Sequence, residues 1–119
     1  MTDKELLELA AKAADFTLHR WNATYVSYET DQGLWNPLLN DGDALRLAVK
    51  LHIDLVLCKV MNTTEAWGNI SDSTTGVCER HGRSAGAATR RAIVRAAAAM
   101  AQAVQPAGTI KDSLTVQPT

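Results

Sequence analysis

Residues 85–104, AGAATRRAIVRAAAAMAQAV, are half alanine, with one glycine and no proline. Alanine has the highest helix propensity and no side-chain bulk to hold a neighbour away. A helix of this kind brings little apolar volume, so the fold has to be built by close approach to it. The spacing predicts a helix over 85–104, with Ile93, Ala96, Ala97, Met100 and Val104 on one side and Arg91, Arg95 and Gln102 on the other. Gly82, Ser84 and Gly86 break the chain before it, and from Pro106 onward the sequence is polar and aperiodic. This predicts one α/β domain over 1–105 and a flexible tail over 106–119.

The other elements follow from capping and period. Thr2 and Glu5 form a capping box opening a helix over 3–14, with Leu6, Leu9, Ala10, Ala13 and Ala14 on one stripe. Residues 23–29 are β-branched and aromatic and predict a strand, with Thr24, Val26 and Tyr28 on one face. Residues 30–41 read as a loop whose Leu34, Trp35, Leu38 and Leu39 must fold under it or meet a partner. Asn40 or Asp41 caps a second helix with Ala44, Leu45, Ala48 and Val49 as its buried stripe. At His52 the apolar period changes from about 3.6 to about 2, and Ile53, Leu55 and Leu57 form an apolar strand face expected to meet Ile93, Ala97 and Met100. Weaker strands over 65–69 and 75–80, with turns at Asn62-Thr63 and Ser71-Asp72-Ser73, complete a meander. The predicted class is α+β: a small antiparallel sheet of three to four strands with three helices, in an α-β-α layered sandwich.

Charge is unevenly placed. Residues 1–79 carry six Lys/Arg against twelve Asp/Glu, a net of −6, and residues 80–119 carry six against one, a net of +5. The basic end holds Arg80, Arg83, Arg91 and Arg95, a candidate phosphate-contacting surface. The competing explanation is a solvated face that pairs with the acidic remainder. Of six aromatic residues, Trp35, Trp67 and Tyr25 are candidate anchors for a protein partner, with a core plug the favoured role for Trp35.

Catalytic and metal motifs find no support. His19, His52, His81, Cys58 and Cys78 lack the paired spacing of zinc sites. Asn40-Asp41-Gly42-Asp43 lacks the further ligands of a calcium loop and reads as a helix cap. No nucleophile elbow or phosphate-cradling glycine motif occurs. The expectation is therefore a protein that is not an enzyme and takes no metal or other cofactor. No apolar run reaches membrane-spanning length, and the acidic, amphipathic opening is unlike a signal peptide. A cytoplasmic location is expected, with both cysteines reduced.

Three stretches, MTDKELLELAAKAA, GLWNPLLNDGDALRLAVKL and AATRRAIVRAAAAM, together resemble a family of small bacteriophage and prophage accessory proteins, similar to the phage ABA sandwich domain proteins. The resemblance covers the two ends and the middle of the chain. It implies a layered α-β-α fold, expression in the cytoplasm of a bacterial host, and no established catalytic residues. The resulting expectation is a non-catalytic binder of a host or phage macromolecule, an inhibitor being one such role. The partner is expected to be a protein, with nucleic acid the alternative and self-association open because the core is thin.

Overall fold

The computed structural model describes residues 1–70 and 73–110, without the side chains of 69–70, 73–75 and 104–110. The elements are α1 (Asp3–Ala13), β1 (Arg20–Asn22), β2 (Ser27–Thr30), β3 (Gly33–Trp35), α2 (Asp41–Leu51), β4 (Asp54–Cys58), β5 (Thr63–Ile70), β6 (Ser73–Arg80) and α3 (Ala85–Ile110). The α+β class, the three helices and the antiparallel pairing agree with the sequence reading. The strands divide into two sheets, β1-β2-β3 and β4-β5-β6, where a single sheet was expected.

Helix α3 is the common partner. It packs on β5 and β6, and also on α1 and α2. Ala88, Ala92, Ile93, Val94, Ala96, Ala97, Ala98 and Ala101 are all buried, so far more of its circumference is covered than one stripe provides. The strand beneath it is made of small residues. Thr64, Ala66 and Gly68 alternate inward along β5 and are buried. A Cβ on Gly68 would stand 2.6 Å from Met100 Sδ, so the Met100 side chain fills the space that glycine leaves on the strand. Close contact of small groups recovers by dispersion what alanine lacks in apolar area.

Helix α1 starts as the capping box requires. The Thr2 hydroxyl accepts the Glu5 N–H at 3.2 Å, and Glu5 Oε1 accepts the Thr2 N–H at 2.7 Å. Its buried residues are Leu6, Leu7, Ala10 and Ala11. In α2, Asn40 Oδ1 accepts the Asp43 N–H at 2.8 Å, which identifies Asn40 as the cap. The buried face of α2 is Asp43, Ala44, Leu47 and Ala48. Leu45 and Val49, placed in that face by the sequence reading, are instead 61% and 65% exposed.

The strand expected over 23–29 is broken in two. Asn22 Oδ1 accepts the Tyr25 N–H at 3.1 Å, and Val26 takes a φ of 50°, so residues between β1 and β2 turn. A local side-chain turn has overridden β propensity. The turn is held from outside by Asn36, whose side-chain N–H donates to the Val26 carbonyl at 2.6 Å. Asn36 is buried, taking the Leu38 N–H on Oδ1 at 2.9 Å while its own backbone N–H donates to Asp43 Oδ2 at 3.0 Å. The segment read as a loop over 30–41 thus supplies β3 and a buried anchor to α2.

The expected core face of β4 also needs correction. Ile53 is buried and Leu55 half-buried, but Leu57 is 60% exposed. β4 lies at the sheet edge, while α3 sits over β5 and β6, so among the described residues the far end of β4 is left largely uncovered. At the other end of the chain, α3 continues beyond 104 through Pro106 to Ile110, into the expected tail. Residues 111–119 of that tail and the turn residues Ser71 and Asp72 lie outside the described residues.

This distribution of burial has a measurable consequence. Leu7→Ala, at a fully buried position, lowers stability by about 2–5 kcal/mol. Leu57→Ala lowers it by less than about 1 kcal/mol, because its side chain is largely in water already. Urea denaturation of the two variants distinguishes them; equal losses would contradict the edge placement of β4.

Candidate functional site

The six aromatic residues separate into two groups. Trp21, Tyr28 and Trp35 stand in one cross-strand row through β1, β2 and β3. Trp21 meets Tyr28 edge-to-face at 5.0 Å, and Phe16 meets Trp35 in the same way at 5.6 Å. Trp35 is 6% exposed, so this candidate anchor is a core residue with no surface to offer. Tyr25 and Trp67 remain outside, 64% and 41% exposed. They belong to different parts of the fold, Tyr25 to the turn before β2 and Trp67 to the middle of β5.

Trp67 sits on the outer face of the β4-β5-β6 sheet, opposite α3. Register places Asp54, Trp67 and Gly76 in one row of that face, Val56, Glu65 and Cys78 in the next, and Cys58, Thr63 and Arg80 in the third. Asp54, Val56, Trp67, Gly76, Cys78 and Arg80 are exposed. The indole lies across β6 onto Gly76, where an added Cβ would come within 2.6 Å of the ring. Its Nε1 donates to Glu65 Oε1 at 3.1 Å. Trp67 is therefore held flat on its own sheet, with one ring face against backbone and the other outward.

The basic residues are only partly available. Arg91 pairs with Asp3 at 3.1 Å and Arg95 pairs with Glu79. Arg90 reaches Asp41 at 2.7 Å and donates to the Leu38 carbonyl at 2.8 Å. These arginines fasten α3 to α1, β6 and the segment before α2. Arg80 and Arg83 are exposed and make no ion pair among the described residues. With Arg91, His81 and Ser84 they border a 420 Å³ cleft at the start of α3, whereas Arg95 lies outside it.

The cysteines and histidines do not converge. Cys58 and Cys78 share the outer sheet face but have β5 between their strands. Two strand spacings, about 10 Å, exceed what a disulfide or one metal ion can bridge. His19 bonds Asp31 at 2.6 Å, and His52 ends α2 in a left-handed conformation with φ 54°. Among the described residues, no three His, Cys, Asp or Glu side chains gather where they could hold a metal ion.

His81 belongs to a network that sequence spacing did not disclose. Its Nε2 lies 2.8 Å from Thr64 Oγ1, which is 2.9 Å from Thr89 Oγ1, and its Nδ1 lies 3.3 Å from Asn62 Oδ1. Asn62, His81 and Thr64 stand in the order of an orienting group, a base and a nucleophile. Thr64, however, is fully buried and its hydroxyl already has two partners, so no substrate atom can approach it. The network satisfies a buried hydroxyl and ties β5 to α3. Thr64 and Thr89 meet only through the fold, which is why no local signal marked them.

One titration is strongly displaced. Burial, together with a hydrogen bond to the Glu8 carboxylate and its negative charge, pushes the Tyr28 phenol from 10.0 to about 12. Only the neutral phenol suits this site, so its contribution to stability is complete below the ordinary tyrosine range. It is lost as pH rises from 10.0 towards about 12. Tyr28→Phe should remove the stability loss across that window in alkaline denaturation. An unchanged alkaline profile in this variant would show that Tyr28 is not the group responsible.

No helix among the described residues is long and apolar enough to cross a membrane. Compared with protein-family models, curated proteins and solved structures, the chain matches none.

Proposed function

We propose that this chain is a non-catalytic protein-binding module that uses the outer face of the β4-β5-β6 sheet, with Trp67 at its centre. The observation that carries this reading is the fixed, outward-facing indole on a sheet whose other face is packed against α3. A tryptophan already immobilised loses little conformational entropy on binding, and tryptophan is enriched among residues that dominate interfaces. Val56 and Cys78 extend the apolar surface beside it, Glu65 between them holds the indole N–H, and Asp54 and Arg80 set a charged rim. Resemblance of the three segments to phage and prophage accessory proteins supports a setting in the cytoplasm of a bacterial host, with a host or phage protein as the partner. The buried Thr64 hydroxyl supports the non-catalytic part of the reading.

A second reading, binding of nucleic acid, draws on one observation: Arg80 and Arg83, unpaired among the described residues, lie beside the start of α3. The acidic first part of the chain opposes the approach of a polyanion, and the pairing of Arg91 and Arg95 removes half of the candidate surface.

Affinity capture from bacterial lysate, with and without nuclease, tests the two readings together. The wild-type chain is expected to retain a protein partner that Trp67→Ala loses, with affinity falling about thirtyfold or more, as for an interface hot spot. Arg80→Ala with Arg83→Ala should leave capture unchanged. Co-purification of nucleic acid that weakens steeply with salt and disappears in the arginine variant would replace the first reading by the second.

A further inference from the structure

The edge of β4 is the least protected part of the surface. β4 ends the β4-β5-β6 sheet, and its outer backbone edge has no strand partner among the described residues. Beside it runs a 330 Å³ groove between α2, β4 and the start of α3, lined by Ala44, Leu45, Leu55, Leu57 and Ile93. Leu45, Val56 and Leu57 around this edge are 61%, 48% and 60% exposed. Monomeric proteins commonly blunt such an edge with proline, a bulge or a central charge. Here residues 55–58 are uninterrupted Leu-Val-Leu-Cys.

The charges near this edge lie at its ends. Asp54 begins the strand and Lys59 follows it, both exposed and neither in an ion pair among the described residues. A second strand of the same sequence laid antiparallel puts the acidic end of each strand beside the basic end of the other, Asp54 opposite Cys58 and one residue from Lys59. A parallel copy would bring like charges together. Directly opposed residues of an antiparallel pair share a sheet face, so a two-fold axis must pass at a residue rather than between two. With the axis at Val56, Leu55 faces Leu57 of the second copy on the inner side, over the groove.

We propose that two copies of this chain associate through their β4 edges, antiparallel and centred on Val56, to form one continuous six-stranded sheet. The contact is self-complementary, as a closed two-fold interface requires. Leu55 and Leu57 of each strand close the groove of the other copy, and Leu45 is covered with them. The outer faces carrying Trp67 remain free and become one surface of twice the width. The inference stands independently of the binding role given to Trp67.

Sedimentation equilibrium from about 1 µM to about 1 mM covers the range in which an interface of this kind assembles. The expected result is a reversible dimer. Leu57→Lys and Leu45→Lys, each at an exposed position, should weaken it at least tenfold while far-ultraviolet circular dichroism stays unchanged. Trp67→Ala should leave association untouched. A monomer throughout this range overturns the proposal. So does a dimer that both leucine variants leave intact, or one that Trp67→Ala abolishes.

Discussion

The close seating of α3 on β5 is the contact on which the rest of the structure depends. Thr64, Ala66 and Gly68 form a shallow track, and the alanine-rich helix lies in it with Met100 against the Gly68 backbone. Because the helix carries so few large side chains, its opposite sides are also free to approach α1 and α2. One helix thereby joins the larger sheet to both other helices. Polar contacts secure the orientation: Thr64 to Thr89 inside, and Arg90, Arg91 and Arg95 to carboxylates outside. These arginines are better understood as fasteners of α3 than as a surface for a polyanion.

The two sheets then divide the labour. The smaller sheet uses its aromatic row, with Phe16, to close a second part of the core around α1. Its charged residues are satisfied locally, Glu29 being held below the usual carboxylate range by Arg20 and Asn22. The larger sheet is covered on one face only. Its outer face is polar at the margins and aromatic in the middle, and its β4 edge is apolar. A sheet that continues through a second copy would present two Trp67 side chains on one plane.

The order of elements was legible wherever signals are local. The capping box at Thr2 and Glu5, the Asn40 cap, the change of period after His52 and the helix after Ser84 all depend on residues a few positions apart. Trp67 was also legible as a candidate, since a tryptophan in a short polar strand has few alternatives. Other features were read wrongly for identifiable reasons. Val26 belongs to a turn because Asn22 captures the Tyr25 N–H, a contact that outweighs β-branching. For Trp35 the sequence left anchor and core plug open with the plug favoured, and the plug holds because β3 pairs with β2 and carries it into the aromatic row. Leu45 and Val49 lie outward although they fit an apolar stripe, because α2 turns Leu47 towards the core instead.

By itself, then, the sequence determined that this chain makes three helices and short antiparallel strands, since capping, alanine content and apolar period act within one or two turns of chain. It also determined that one long helix could approach its neighbours closely. Only the tertiary structure decided which side chains that approach covers. Placing α3 over β5 and β6 leaves β4 at an open edge with Leu57 in water, sets Trp67 on the uncovered face, and takes Arg91 and Arg95 into ion pairs. Each outcome depends on contacts between residues far apart in sequence, and apolar pattern alone does not distinguish a side chain facing the core from one facing a partner.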